Sequence, residues 1–407
     1  MKDTYYRKIL VLFSGTGVAQ LINLAGLPFL TRLYSPDYFG LFAFYSAVVA
    51  ILTLFATLKY ENHILLSRSQ SGVTHSYNLI KILSIIAAVL VYFIPQFLTP
   101  IFVYQTDIFI WISLGVGLAG WQLANYYLLN RQNKYKVMST SRVLAANVFL
   151  ISSIGFPFIM EDYSLGLIWA SIAGVFSSVI YTSLYGAYRN PNLVKSFKLL
   201  KIEPSYYRII LPSSFMDVMS SQLPLIFSKG SFELNKVGNY GLYNKCVSLP
   251  SAILGKAVAD VFKQEAFQRL SNNESASNLY IDTAKKMLYI GFLPYLALQF
   301  MGIQLFSIVF GKEWSFAGEI AQVMAIRFYL GFVVSPLSSV LYFAHFKKWD
   351  FLIQTLLIVA IALTLYISYV HNDFMLMIQG LTVSYVVKYL LQFSVGYWIT
   401  SVKKVRN

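Results

Sequence analysis

The sequence carries little charge for its length. Asp, Glu, Lys and Arg make up only 12% of its 407 residues, whereas a soluble domain carries about 25%. Apolar side chains account for 57% of the chain, and the mean hydropathy is +0.60. Apolar runs of roughly 20 residues, long enough to cross a hydrocarbon core of about 30 Å, recur throughout. A soluble globule is therefore excluded, and the runs are too long for the alternating strands of about ten residues in a membrane β-barrel.

Residues that support other chemistries are also scarce. The single cysteine, Cys246, excludes an intrachain disulfide and is expected to pack in an apolar segment. The four histidines are scattered without the spacing of a metal site. The chain has no P-loop for ATP and no Gly-x-Ser-x-Gly nucleophile elbow. We therefore expect no metal and no cofactor, apart from a coupling H⁺ or Na⁺.

Twelve apolar segments are candidate membrane spans. They lie near residues 9–33, 38–58, 79–104, 108–129, 142–160, 164–186, 207–229, 239–260, 286–310, 316–344, 351–370 and 374–400. The first is longer than the 7 to 15 residue core of a cleavable signal peptide, so we expect it to remain in the membrane. The pattern predicts an all-α integral membrane protein with twelve transmembrane helices.

The basic residues predict the orientation of these spans, because loops rich in Lys and Arg stay cytoplasmic. With a cytoplasmic N-terminus, the inner segments hold 24 of the 32 basic residues. The outer loops hold Arg32, Lys229, Lys236 and Lys312, and the spans hold Lys245, Lys256, Arg327 and Lys388. Both termini are therefore predicted to be cytoplasmic. The net charge of +15 reflects topology and contact with anionic lipids, and indicates no nucleic-acid partner.

The two halves of the chain resemble each other. Residues 5–10 (YYRKIL) match residues 206–211 (YYRIIL) at five of six positions, and residues 39–42 (FGLF) echo 240–243 (YGLY) at the same offset of 201. We predict two six-helix lobes, 1–190 and 206–407, joined by a cytoplasmic linker at 191–205. The linker contains a short basic amphipathic helix, with Leu193, Phe197 and Leu200 on its apolar face and Lys195, Lys198 and Lys201 on the opposite side. Because six spans return the chain to the same side, the repeats are parallel, as in transporters that bind substrate between two halves.

The stretch LPFLTRLYSPDYFGLFAFY, residues 27–45, interrupts the apolar pattern at the predicted junction of the first two spans. Ser35 is a helix cap, Pro36 favours the first helical position, and Asp37 suits the first turn. Arg32 is expected to end the first span at the outer face. The sequence thus predicts a tight outer hairpin.

Charged residues within spans cost about 2.5 to 3.5 kcal/mol each at a helix centre. Arg327 and Lys388 lie near the middle of their spans, so we favour a cavity-facing role over a buried pair with an acid. Lys245 lies nearer an outer end, where it can also extend to the interface.

Two polar stripes complete the candidate cavity. Asp217, with Ser213 and Ser220 on the same helix face, either binds a coupling H⁺ or Na⁺ or forms a salt bridge with Arg327 or Lys388. Thr16, Gln20 and Asn23 form a polar face on the first span, which either lines the cavity or bonds to a neighbouring helix.

Several short motifs in the first 65 residues carry a family resemblance. Ser14-Gly15-Thr16, Ala19-Gln20, the run PFLTRLYSPDYFG at 28–40 and Lys59-Tyr60-Glu61-Asn62 resemble the Wzx-type polysaccharide flippase family. That family belongs to the multidrug/oligosaccharidyl-lipid/polysaccharide exporter superfamily. The similarity is specific over about the first 65 residues, and Asn62 departs from the alanine that is usual there.

The resemblance implies a V-shaped pair of lobes around a cationic cavity in the bacterial inner membrane. It implies a lipid-linked oligosaccharide substrate for O-antigen or related polysaccharide synthesis, with a polymerase and other assembly proteins as possible partners. Arg327, Lys388 and Lys245 would receive the pyrophosphate, Arg32 would lie at the outer mouth, and ion binding at Asp217 could drive the reset.

Three other functions make different demands on the sequence. A drug/cation antiporter of the same superfamily would need acids in the cavity, whereas the mid-span charges are mostly basic. A peptidoglycan-precursor flippase differs mainly in the first-loop match. A membrane polymerase or glycosyltransferase generally needs a large extramembrane loop with catalytic residues, but the longest loops here are about 20 residues. We therefore expect a transporter rather than an enzyme.

Overall fold

The computed structural model describes residues 2–97, 106–186, 193–250, 255–272, 274–342 and 346–401. Within these ranges the chain forms helices and no strands. The sixteen α-helices are α1 (Lys2–Leu33), α2 (Pro36–Thr57), α3 (Glu61–Leu66), α4 (Gln70–Phe97), α5 (Thr106–Arg131), α6 (Tyr135–Ile159), α7 (Gly166–Gly186), α8 (Leu193–Ile202), α9 (Leu211–Ser231), α10 (Leu234–Pro250), α11 (Lys256–Ser271), α12 (Ser277–Phe310), α13 (Ser315–Val323), α14 (Ala325–Val334), α15 (Lys347–Val370) and α16 (Phe374–Ser401).

Membrane-spanning character is confirmed for most of the predicted segments. Among the described residues, nine helices are long and apolar enough to cross a bilayer, or ten if the bent pair 312–323 and 325–334 forms one span. Judged by their length and composition, the described helices therefore provide fewer membrane spans than the predicted twelve. The difference lies in α1, which is not among the nine, and in α10, which at 17 residues is too short to count. The predicted span 316–344 is not one straight helix, because α13 and α14 meet at 55°.

The described helices form two compact units. Unit 1 comprises Met1–Tyr34 and Leu41–Ile226, and unit 2 comprises Ser35–Gly40 and Phe227–Asn407. Unit 1 therefore includes α8 and most of α9, and unit 2 includes the first turn of α2. The lobes 1–190 and 206–407 that the repeat indicates stay a prediction.

The start of α2 is where the sequence predicted it. α1 ends with Arg32 in its last turn, and α2 begins at Pro36 with Asp37 in its first turn. In unit 2 this turn lies directly against α10. A Cβ atom on Gly238 would overlap the Pro36 carbonyl oxygen, and one on Gly40 would overlap the Leu234 carbonyl oxygen. Only glycine allows two helices to approach so closely.

Small residues also bring α1 and α6 together in unit 1. A Cβ on Gly15 would overlap the Ser139 side chain, and one on Gly26 would come within 2.5 Å of Leu150. At the far end of the pair, the Tyr34 hydroxyl donates a buried hydrogen bond of 2.7 Å to the Ser153 carbonyl oxygen. Close packing and buried hydrogen bonds replace the hydrophobic effect, which does not drive association between helices in lipid.

The predicted amphipathic linker contains α8, which packs against α4 in unit 1. Its buried residues are Ser196 and Leu199, whereas Phe197 is 39% exposed. The sequence assigned Phe197 to the apolar face together with Leu200, and the helix is rotated from that position because α4 determines which side is covered. Lys195, Lys198 and Lys201 are all exposed, and the apolar side chains of Val194 and Ile202 beside them are exposed as well.

The short helix α3 holds a buried histidine. His63 lies 2.6 Å from the Ser76 hydroxyl through Nδ1 and meets the Tyr206 ring edge-on, with centroids 5.4 Å apart. Burial lowers the pKa of His63 below its ordinary value, and the positive charge of Arg131 lowers it further, whereas Glu203 opposes both. The neutral imidazole is therefore the form that the fold favours.

The close contact at Gly238 predicts that a larger residue at this position destabilises the protein. Gly238→Ala should lower the melting temperature of the purified protein, because the added methyl group overlaps a backbone carbonyl and forces the first turn of α2 to move. Overpacking of this kind costs about 1 to 3 kcal/mol. The matched control is Gly155→Ala in α6, where a Cβ meets nothing within 4 Å. Equal melting temperatures for the two variants would contradict the contact.

The buried histidine predicts an acid-sensitive fold. Because its pKa is lowered on folding, His63 contributes stability that is present above about pH 6.5 and is lost as the pH falls through the folded-state value. The melting temperature of the wild-type protein should therefore drop between pH 7.5 and pH 5.0. His63→Asn, which keeps a polar atom near the Nδ1 position but does not titrate, should show a smaller drop. An identical pH dependence in both proteins would argue against a role for His63.

Candidate functional site

Two of the predicted cations meet on one aromatic ring in unit 2. The guanidinium carbon of Arg327, on α14, lies 3.8 Å from the centroid of the Tyr385 ring on α16. The Lys388 ammonium lies 5.7 Å from the same ring and 5.5 Å from the Tyr389 ring. A cation over a tyrosine face gains about 0.5 to 2 kcal/mol, most where water is excluded. The structure therefore brings Arg327 and Lys388 to the same place.

A break between two helices positions Arg327. α13 ends at Val323 and α14 begins at Ala325, so Arg327 lies in the first turn after the bend. Its Nη1 atom is 3.8 Å from the Met324 sulfur, and the side chain is half-buried. Among the described residues neither Arg327 nor Lys388 has a carboxylate partner. The described part of unit 2 therefore contains no buried ion pair of Arg327 or Lys388 with an acid, which was the alternative to a cavity-facing role.

The other two predicted substrate-binding cations are not on this ring. Lys245, on α10, is half-buried, and its ammonium is 6.0 Å from the Phe39 ring. Phe39 in turn packs edge-on against the buried Trp314, with ring centroids 4.9 Å apart. Arg32 is exposed in unit 1, and its Nη1 donates to the Pro28 carbonyl oxygen of its own helix at 2.6 Å.

The polar stripe on α9 is divided between surface and interior. Ser213 and Asp217 are exposed, and the Asp217 carboxylate has no ion-pair partner in the described parts of the chain. Ser220 is buried and donates to the Asp217 carbonyl oxygen at 2.8 Å, within the helix. Of the three, Asp217 is the residue whose side chain remains available to an ion.

On α1, the predicted stripe of Thr16, Gln20 and Asn23 is half-buried in unit 1. Thr16 accepts a short hydrogen bond from Arg142 on α6. The stripe is thus occupied in part by bonding to a neighbouring helix, which is one of the two roles that the sequence left open.

Unit 1 also contains a cavity of about 440 Å³ between α2, α5 and α7. In its lining, the Lys59 ammonium is 3.5 Å from Glu61 Oε1. Glu61 is only 3% exposed, and its second carboxylate oxygen has no hydrogen-bond partner among the described residues. A buried carboxylate with one unsatisfied oxygen is costly, so this corner suits a water, a proton or a small cation. The other lining residues with hydroxyl or amide groups are Tyr45, Ser46, Thr53, Thr57, Gln122, Tyr127 and Ser171.

Two apolar cavities lie on other sides of α5. They measure about 320 and 540 Å³ and share Leu114 and Leu118 in their walls. The larger is rimmed by Trp111 and Trp169, whose rings meet edge-on at 5.7 Å. These walls offer contact to hydrocarbon chains and contain almost no polar surface.

Sequence reasoning missed three features of these sites. Arg142 stood at the first position of the predicted span 142–160 and was given no role, whereas α6 starts seven residues earlier, at Tyr135. Glu61 contributed to the family resemblance but was given no role. Tyr385 was given no role. The available signal for Tyr385 was its position three residues before Lys388, which places both on one helix face.

The fold is similar to those of known transporters. A multidrug resistance MATE family transporter of the MOP superfamily, in its inward-facing conformation, matches with a TM-score of 0.70 at 13% identity, covering 97% of this chain and 96% of that one. The lipid II flippase MurJ, in an inward closed conformation, matches with a TM-score of 0.67 at 15% identity, covering 96% and 86%. A MOP superfamily transporter from Pyrococcus furiosus, described by the reverse polarity of its binding pocket, matches with a TM-score of 0.61 at 14% identity, covering 98% and 96%.

At these identities the similarities show a shared fold, namely that of MOP superfamily transporters. No curated protein matches the sequence. Residues 29–319, which make up most of the chain, match the family described as polysaccharide biosynthesis protein. The chain therefore belongs to the polysaccharide biosynthesis protein family, and it has the fold of MOP superfamily transporters.

Proposed function

We propose that the protein flips undecaprenyl-pyrophosphate-linked oligosaccharide units from the cytoplasmic to the outer face of the bacterial inner membrane. The units would be used for O-antigen, as a part of lipopolysaccharide, or for a related surface polysaccharide. The observation that carries the proposal is the pair of cations on Tyr385, in a membrane-embedded unit of a polysaccharide biosynthesis protein. The proposed movement is alternating access, in which the site opens to each side in turn.

The chemistry of the substrate explains why such a site is needed. A pyrophosphate and a sugar chain cannot enter hydrocarbon unaided, because both would lose their hydrogen bonds to water. The planar guanidinium of Arg327 can donate two parallel hydrogen bonds to a phosphate, and Lys388 adds a compact charge. Because no carboxylate neutralises either cation in the described part of unit 2, both charges remain available to an anion.

The remaining predicted residues have secondary roles in this proposal. Lys245 would add to the positive potential along α10, and Arg32 would meet the substrate at the outer mouth. Asp217 would bind the coupling H⁺ or Na⁺, which is supported by its exposed carboxylate without an ion-pair partner among the described residues. The polyprenyl tail would stay in the lipid.

The alternative functions differ in the charge that they require. In a multidrug antiporter, the cationic compounds to be transported would be repelled by Arg327 and Lys388. A peptidoglycan-precursor flippase would use the same carrier chemistry, and the fold similarity to MurJ does not separate the two. Deletion of the gene separates them, since a polysaccharide flippase leaves lipid-linked oligosaccharide on the cytoplasmic face and a precursor flippase leaves the cell-wall precursor there. Accumulation of unpolymerised units at the outer face would instead indicate a polymerase.

Charge reversal at the cation pair tests the site. Arg327→Glu with Lys388→Glu should abolish surface polysaccharide export, because the pyrophosphate would meet two negative charges, while the protein still inserts into the membrane. Export is measured as surface polysaccharide on cells that lack the wild-type gene, and insertion as the amount of protein in the membrane fraction.

The matched control reverses the same number of charges elsewhere in unit 2. Lys236→Glu with Lys312→Glu changes two residues that are not buried, and the surface pair of Lys236 with Glu233 contributes little. This variant should export normally. Normal export by the Arg327 and Lys388 double variant would refute the proposed site.

The proposed direction of transport rests on the orientation of the chain. The excess of Lys and Arg in one set of loops supports cytoplasmic termini and a cytoplasmic α8. Lipid-linked oligosaccharide and anionic lipids would then meet the protein from the cytoplasmic side, and a polymerase would act on the product at the outer face.

Cysteine labelling tests this orientation. In a Cys246→Ala background, a cysteine at the exposed Glu161 should react with a membrane-impermeant maleimide in intact spheroplasts. A cysteine at the exposed Lys198, on α8, should react only after permeabilisation. The reverse pattern would place the termini outside and overturn the proposed direction.

A further inference from the structure

A further arginine, Arg142, lies at the junction of α1, α5 and α6 in unit 1. Arg142 is half-buried on α6, about 10 Å along the axis from the start of that helix. Its Nη1 donates to the Thr16 hydroxyl on α1 and its Nη2 to the Tyr126 hydroxyl on α5. The guanidinium carbon also lies 4.5 Å from the centroid of the Tyr126 ring. Three helices therefore fix the position of one guanidinium.

The charge of this arginine is not neutralised by its neighbours. The described residues provide no carboxylate partner for Arg142, and its two hydroxyl partners use two of its five N–H donors. An arginine inside a span is expensive unless a counter-charge or a wet cavity compensates it. If the only task of Arg142 were to tie three helices together, a neutral donor would achieve it at lower cost.

The surroundings suit an anionic ligand with sugar attached. Gln20 and Asn23 follow Thr16 at positions i+4 and i+7 on α1, so they share its helix face, and both are half-buried. Their amide groups can donate and accept hydrogen bonds, as sugar hydroxyls require. The arrangement at Arg142 also resembles that at Arg327 in unit 2, where a tyrosine ring supports an arginine that has no acid partner among the described residues.

We propose that Arg142 is a second substrate-binding residue, which takes an oxyanion of the lipid-linked oligosaccharide through its free N–H donors. The ligand chemistry is a pair of adjacent anionic oxygens, supplied either by the pyrophosphate or by the carboxylate of an acidic sugar. Thr16 and Tyr126 act as positioning residues that hold the guanidinium plane. This inference rests on the proposed function and adds a site in unit 1 to the one in unit 2.

Two synthetic lipids distinguish the sources of the oxyanion. The first is undecaprenyl pyrophosphate carrying N-acetylglucosamine, which has no carboxylate, and the second carries a further glucuronic acid. Dissociation constants are measured for the full-length protein in detergent. Arg142→Gln should bind about tenfold to a hundredfold more weakly, the range expected for one lost hydrogen bond to a charged group. An equal loss for both lipids assigns the pyrophosphate, and a loss confined to the second assigns the carboxylate.

A control separates binding from bracing. Tyr34→Phe removes the buried hydrogen bond that joins the residue after α1 to α6, at the other end of the same helix pair, and changes no charge. It should lower the melting temperature and leave both dissociation constants unchanged. Arg142→Lys, which keeps the charge but loses the fork of donors, should restore part of the affinity.

The outcomes also separate this inference from the proposed function. Wild-type affinity of Arg142→Gln for both lipids, with affinity lost in Arg327→Gln, would overturn the role of Arg142 and leave the proposed function intact. A wild-type protein that binds neither lipid would overturn both.

Discussion

A guanidinium inside an apolar span must be satisfied by the protein, because hydrocarbon offers neither a hydrogen-bond partner nor a counter-charge. Arg142 and Arg327 meet this constraint in the same way. Arg142 rests on Tyr126 and Arg327 on Tyr385, and neither has a carboxylate partner among the described residues. A tyrosine face stabilises the cation without cancelling its charge. That property distinguishes a site that can exchange an anion from a salt bridge that would exclude it.

Helix packing serves to hold these rings and charges in place. In unit 2, the bend between α13 and α14 puts Arg327 at the start of a helix, and Gly331 lets the Tyr389 ring lie close to α14. In unit 1, the overlap that any side chain at Gly15 would cause with Ser139 indicates how closely α1 approaches α6, next to Thr16 and Arg142. Glycines at these positions therefore permit the close helix packing beside each arginine.

The family and the fold give these charges their meaning. A transporter fold shared with exporters of very different cargo does not specify a substrate, so the sign and the neighbours of the buried charges carry that information. Basic residues on tyrosine suit an anionic carrier lipid. Among the described residues, Glu61 has a buried, unsatisfied carboxylate oxygen and Asp217 has an exposed carboxylate, and carboxylate oxygens are ligands for small cations. Apolar cavities beside α5 provide contact with hydrocarbon.

The sequence by itself determined the helical membrane class, the start of α2 at Pro36 and the choice of Arg327 and Lys388, because hydropathy, capping and the cost of a charge in lipid are local properties. It did not determine the bend before Arg327, the rotation of α8 or the placement of Arg142 within α6, because these depend on which neighbouring helix covers which face. Only the tertiary structure decided that Arg327 and Lys388 share Tyr385 while Lys245 faces Phe39. Residues far apart in the chain meet through helix packing, and spacing along one helix carries no information about that partner.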